Sequence, residues 1–175
     1  MLRAPASDTS CFYDILRAAA SGTSNDKLLY EVRWLEWEVF GSNSYLPPFN
    51  LHLPKLSVLM LWGSGFTQDW KEWSSFMASK RLKILVFKYS PNLRSTPDLS
   101  AFTQLKILKF SGCWELEHLH PSIGKLTTLP SAIGSLRKLE KLSGCRSLRE
   151  IPSSIGDLQN LQHLDLKVWD RKTSK

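Results

Sequence analysis

The sequence predicts an α/β solenoid: a stack of short repeats whose strands line up into one curved parallel β-sheet on the concave face. Three observations carry that prediction. Apolar residues recur in the pattern L-x-x-L-x-L, the pattern returns about every two dozen residues, and similar Pro- and Gly-punctuated segments stand between the copies. The apolar triplets are Val32, Leu35, Trp37; Leu56, Leu59, Leu61; Leu82, Leu85, Phe87; Leu105, Leu108, Phe110; and Leu161, Leu164, Leu166. The first members of the first four sets lie 24, 26 and 23 residues apart, within the roughly 20–29-residue period of leucine-rich repeats. The last two members of each triplet are two positions apart, which is strand periodicity. Each unit cannot bury its leucines alone, so the copies must stack.

The segments between strands support the same reading. After β-type triplets come "SGCWELEHLHPSIGKL" (111–126) and "SGCRSLREIPSSIGDL" (143–158). Cys113 stands three residues after Phe110, where leucine-rich repeats place an inward Asn or Cys that bonds backbone groups in the turn. Pro121 and Pro152 interrupt regular structure, lacking an N–H and restricting the residue before them. Gly124, Gly134 and Gly156 are expected to permit the turn that feeds the next strand.

The chain divides into a non-repeat segment at 1–27, repeats over 28–168 and a basic tail at 169–175. The first segment is expected to be a short helix or disordered. As a helix it would have Thr9 or Ser10 as N-cap, Phe12, Ile15, Leu16 and Ala19 inward, and Gly22 as stop. The repeats are irregular around 126–145. Leu105 to Leu139 spans 34 residues, about one and a half repeats, so a strand and its exit turn are missing. "LRKLEKLSGC" then reaches its "SGC" directly from Leu142, without the residue pair that carries the last inward position. Leu126, Leu129, Ile133, Leu136, Leu139 and Leu142, spaced by three or four, point to a partly helical repeat there.

Bulk composition excludes several classes. With 175 residues, 42% hydrophobic and 22% charged, the chain is globular and long enough for one core. The net charge of +7 invites a nucleic-acid reading, but Lys and Arg alternate with acids along the chain, as on a solvated face; no nucleic-acid partner is expected. Three cysteines, Cys11, Cys113 and Cys145, make no CxxC pair and no secreted disulfide framework. No signal-peptide core and no membrane span of about 18 apolar residues is present. A cytoplasmic location follows, with the nucleus as an alternative.

Chemistry-bearing patterns are missing. The nine glycines include no G-x-x-x-x-G-K-[ST] phosphate loop. His52, His118, His120 and His163 form no metal-ligand spacing, and His118 with His120 reads as a solvated pair. No G-x-S-x-G elbow surrounds Ser111 or Ser143. The expectation is a non-enzyme with no catalytic residue, metal or cofactor.

With these residues in view, the chain resembles the leucine-rich region of plant intracellular nucleotide-binding disease-resistance proteins, especially the subclass with a TIR domain. The resemblance rests on "VRWLEW" with "LPPFNLHLPKLSVLML", on "TPDLSAF", and on "SGC" with "LREIPSSIGDLQNLQHLDL". It covers roughly 28–168. It implies a protein-interaction module in defence signalling, either recognising a ligand or holding a receptor off. Its partners would be a pathogen effector, a host guardee or the receptor's nucleotide-binding module. Lacking the phosphate loop and a TIR-like stretch, the sequence reads as a fragment or truncated paralogue. The alternative function is a decoy or a fragment without independent folded activity. A substrate adaptor of a ubiquitin ligase is disfavoured, since 27 residues cannot hold an F-box.

Strand parity supplies the candidate protein-binding concave face. It comprises Trp34, Glu36 and Glu38; Val58, Met60 and Trp62; Ile84, Val86 and Lys88; Ile107, Lys109 and Ser111; and His163, Asp165 and Lys167. Early strands offer aromatic and aliphatic groups, later ones charge. Val58, Ile84 and Val86 equally satisfy strand propensity alone. Trp70 or Trp73 is expected in the core of a long repeat, and Trp62 on the surface as an interaction anchor.

Overall fold

The structure is a computed structural model that describes residues 2–3, 29–39, 52–70, 73–123 and 138–168. Among the described residues seven strands form one sheet in sequential order: β1 (Leu2–Arg3), β2 (Trp34–Val39), β3 (Val58–Gly63), β4 (Ile84–Lys88), β5 (Ile107–Ser111), β6 (Lys141–Leu148) and β7 (His163–Val168). Every pairing is parallel. A parallel sheet with each strand beside its sequence neighbour is the leucine-rich-repeat solenoid that the period predicts.

Each repeat is built the same way. A buried residue three positions before the first leucine accepts that leucine's N–H: Leu29 for Val32, Leu53 for Leu56, Ser79 for Leu82, Phe102 for Leu105 and Leu158 for Leu161. The residue after that leucine then offers one carbonyl to two amides of the next repeat. Arg33 receives Ser57 and Val58, Ser57 receives Lys83 and Ile84, Lys83 receives Lys106 and Ile107, and Lys106 receives Glu140 and Lys141. Backbone groups are thereby satisfied from repeat to repeat while the triplets face inward. The first four triplets are all buried. Where Ser79 replaces an apolar residue, its hydroxyl donates to the Leu53 carbonyl at 3.1 Å, so burial leaves no orphan.

The long second repeat, which begins at Leu56, is filled by rings. Trp70 meets Phe66 and Trp73 edge-on at 5.1 and 5.0 Å. Trp73, on α1 (Trp73–Met77), donates its indole N–H to the Thr67 carbonyl. Both tryptophans are buried. Phe87 and Phe110 stack at 5.2 Å with an interplanar angle of 7°, continuing the inward column.

The irregular repeat departs from expectation. Leu139 and Leu142 do not lie on a helix; Leu139 precedes β6, and Leu142 lies in it opposite Leu108 of β5. The last inward position is filled: Cys145 pairs with Leu166 of β7 and is buried to 1% exposure. This strand's inward pair lies three positions apart where the others lie two, so β6 bulges between Ser143 and Cys145. Gly144 makes the bulge feasible. Its φ is +93°, and an added Cβ would stand 1.7 Å from the Phe110 carbonyl oxygen. By contrast, Gly156 has open space around it and lies in a 3-10 turn (Ser153–Asp157) that Pro152 opens. The turn there does not require glycine, contrary to the sequence reading. Gly124, Gly134 and the leucines 126–136 lie outside the described residues.

The two ends also differ from a uniform stack. Leu2 and Arg3 pair with Leu35 and Glu36, so the N-terminal segment contributes a strand to the sheet; its expected helix and the tail at 169–175 lie outside the described residues. On β7, the inward Leu164 is 46% exposed, because among the described residues β7 has a neighbour on one side only.

Candidate protein-recognition face

The register gathers the parity residues into rows across the sheet. One row runs Trp34, Val58, Ile84, Ile107, Lys141, His163. The next runs Glu36, Met60, Val86, Lys109, Ser143, Asp165, and a third Glu38, Trp62, Lys88, Ser111. Lys141 and Ser143 belong to these rows although the sequence reading omitted them, because the shortened repeat hid β6. Lys167 follows in β7, where its side chain is not described.

Exposure along the rows is uneven. Trp34, Lys109, His163 and Asp165 are exposed, and Val58, Met60, Trp62, Ile84, Lys88, Ile107 and Ser111 half-buried. Glu36, Glu38 and Val86 are buried. Neither carboxylate is without a partner, and Glu36 lies in register with Arg3 of β1. The open part of this face therefore comprises Trp34 and the row residues of β3 to β7 other than Val86, without the acidic residues of β2.

The exit ends of β3 to β5 carry an aromatic rim that strand parity does not reveal. Lys88 Nζ sits 4.1 Å over the Trp62 ring, so Trp62 is a half-covered cation–π partner instead of a free surface indole. Trp62 contacts Tyr89 at 6.1 Å, and Tyr89 contacts Trp114 edge-on at 6.5 Å. Tyr89 and Trp114 remain 49% and 62% exposed. Tyr89 adopts φ +48°, rare for a bulky residue. Its N–H donates to the Ser111 carbonyl at 2.7 Å, and its ring lies where a Cβ on Gly112 would be 2.8 Å away. Beside this rim is a cleft of about 520 Å³ whose lining includes Tyr89, Lys109, Trp114, Ser143, His163 and Asp165. Gly144 of the β6 bulge also lines it.

The flank leaving the sheet is structural. His120 is half-buried rather than solvated: its N–H donates to Thr96 Oγ1, and its Nδ1 lies 2.9 Å from Ser122 Oγ. Ser122 Oγ in turn accepts the Leu99 N–H. Burial raises the Asp98 carboxyl, but hydrogen bonds from Ser100 and Ser122 and the charge of His120 outweigh it, and its pKa falls below the usual value. Glu117 accepts a hydrogen bond from Arg149 at 2.9 Å, which lowers its pKa, with Arg94 and His118 adding to the effect. Cys113 and Cys145 are buried free thiols whose pKa values burial pushes up, so neither is a reactive thiolate. Cys113 Sγ lies 3.9 Å from the Ser111 carbonyl, the turn-bonding place its sequence position implies. Among the described residues no group of His, Cys, Asp and Glu is placed to hold a metal.

Fold and face together define a leucine-rich-repeat protein with a sheet-borne surface. Its relatives are plant disease-resistance proteins. The chain is 34% identical over 118 residues to disease resistance protein RPV1 of Vitis rotundifolia, covering 65% of this chain and 8% of that protein. It is 34% identical over 117 residues to disease resistance protein RML1B of Arabidopsis thaliana, covering 65% of this chain and 10% of that one. The chain thus spans about a tenth of the length of these relatives. No protein-family model matches it, and no solved structure does. The resemblance drawn from its repeat motifs stands on these homologues.

Proposed function

We propose that this chain is the protein-recognition part of a plant disease-resistance receptor of the TIR type. It binds a partner protein on the open face of β3 to β7, either sensing a ligand or holding the receptor's nucleotide-binding module off. The observation that carries this reading is the exposed rim of Tyr89 and Trp114, continued by the Lys88-capped Trp62, beside a polar cleft. Large aromatics with few rotatable bonds are the usual anchors of protein interfaces, and polar rims surround them. The positive φ of Tyr89 supports the same reading, since strained backbone persists where the surroundings hold a side chain for use. Homology to disease-resistance proteins supports a role in defence. On this reading the module is non-catalytic and acts in the cytoplasm. Among the described residues no helix is long and apolar enough to cross a membrane.

The test is co-immunoprecipitation of the chain with the nucleotide-binding module of a homologous receptor and with candidate effectors and guardees. The paired change Trp62→Ala and Lys109→Glu should weaken a retained partner at least about tenfold, the scale of one interface anchor, with circular dichroism unchanged. Undiminished binding by a folded variant contradicts the proposal.

A further inference from the structure

The basic residues that look scattered along the sequence are not scattered in space. Arg33, Ser57, Lys83 and Lys106 are successive members of the carbonyl ladder that precedes the strands, so they form a column along the edge where the strands begin. The residue two positions before each is Glu31, Lys55, Arg81 and Gln104. The fold therefore sets Arg33, Lys55, Lys80, Arg81 and Lys83 around one cleft of about 760 Å³, completed by Ser57 and Gln104. Adjacent strands lie about 4.8 Å apart, so these cations are packed at a repeat that a small anion can bridge. Glu31 engages Lys55, and that hydrogen bond lowers the Glu31 pKa, yet Glu31 does not line the cleft. Lys80, Arg81 and Lys83 form no ion pair among the described residues.

We infer that this cleft is a binding site for a small anion carrying several phosphate groups. The lining decides the class. No apolar or aromatic side chain lines the cleft among the described residues, whereas a protein partner needs an apolar anchor at the centre of its interface and Lys is depleted there. Single-stranded nucleic acid needs stacking rings, and none is offered. What is offered is three ammonium groups and two guanidinium forks, the donors that suit phosphate oxygens. The volume lies in the roughly 300–1,000 Å³ range of small-molecule sites. Among the lining residues the amides of Ser57 and Lys83 are already spent on the ladder and that of Lys80 on the Ala78 carbonyl, so the cationic side chains carry the recognition. The site is separate from the recognition face, and either proposal can fail without the other.

Calorimetric titration of the full chain with inorganic tripolyphosphate tests it. Saturable binding is expected, weakening as salt rises. Arg81→Glu with Lys83→Glu should reduce affinity at least about tenfold. Arg94→Glu with Arg149→Glu, matched in charge but on the flank where the strands end, should change it less than about threefold, the size expected from a screened distant field. Absence of heat, equal loss in both variants, or tighter binding of an acidic peptide than of tripolyphosphate overturns the inference. Circular dichroism of each variant confirms that lost binding is not lost folding.

Discussion

The stack from β3 to β5 and the stack from β5 to β7 solve one problem with different means. In the first, every strand supplies its inward pair two residues apart, and pairing runs without interruption through five positions on both sides of β4. The inward column is Leu61, Phe87 and Phe110, with the two phenyl rings parallel at 5.2 Å. In the second, β6 has lost two residues around its inward pair. The column continues as Cys145 and Leu166, reached through a bulge. The core stays closed, with Leu139, Leu142, Cys145 and Leu148 all at 1% exposure or less. A solenoid can thus absorb a shortened repeat where a small inward side chain and a glycine fall together. The cost is that one backbone position loses all tolerance.

That difference is sharpest at glycine. Gly144→Ala should destabilise the chain by about 3–5 kcal/mol, since φ +93° and a 1.7 Å approach to the Phe110 carbonyl oxygen force the bulge apart. Gly156→Ala, in open space, should be neutral or stabilising by up to about 1 kcal/mol. Urea unfolding of both variants reads the contrast, and equal midpoints would remove the bulge from the account. A smaller contrast follows from leucines that share one register. Leu142→Ala, fully buried, should cost about 2–5 kcal/mol. Leu164→Ala, directly opposite on β7 and 46% exposed, should cost under about 1 kcal/mol. Similar losses at both would mean that β7 is covered as β6 is.

What the sequence revealed and what it hid divide along the same line. The inward triplets were legible from Val32 to Phe110 because leucine-rich stacking imposes one period and burial imposes one residue type. Strand parity gave the row positions on β2 to β5 and, on β7, those of His163 and Asp165. Lys141 and Ser143 were missed because the shortened repeat hid β6, although they alternate regularly about Leu142. Parity also said nothing of Tyr89 and Trp114, which stand in turns after the strands. Buried Glu36 and Glu38 show that parity gives direction but not exposure. The basic edge was hidden for a different reason. Arg33, Lys55 and the run Lys80, Arg81, Lys83 are separated from one another along the chain by acids and by most of a repeat, and only the solenoid's pitch brings the three together. His120 misread as solvated is the same lesson on a smaller scale, since its partners Thr96 and Ser122 belong to two different turns.

Hydrogen exchange at matched ladder amides tests the central claim, that one continuous solenoid runs through the shortened repeat. The amides of Lys83 and Ile84 bond the Ser57 carbonyl at 2.9 and 3.0 Å, and those of Glu140 and Lys141 bond the Lys106 carbonyl at 2.8 and 2.9 Å. In one cooperative stack the two pairs open together, so their protection should agree within about tenfold. Strong protection at Lys83 and Ile84 with unprotected exchange at Glu140 and Lys141 would place the end of the folded stack at β5 and contradict the account.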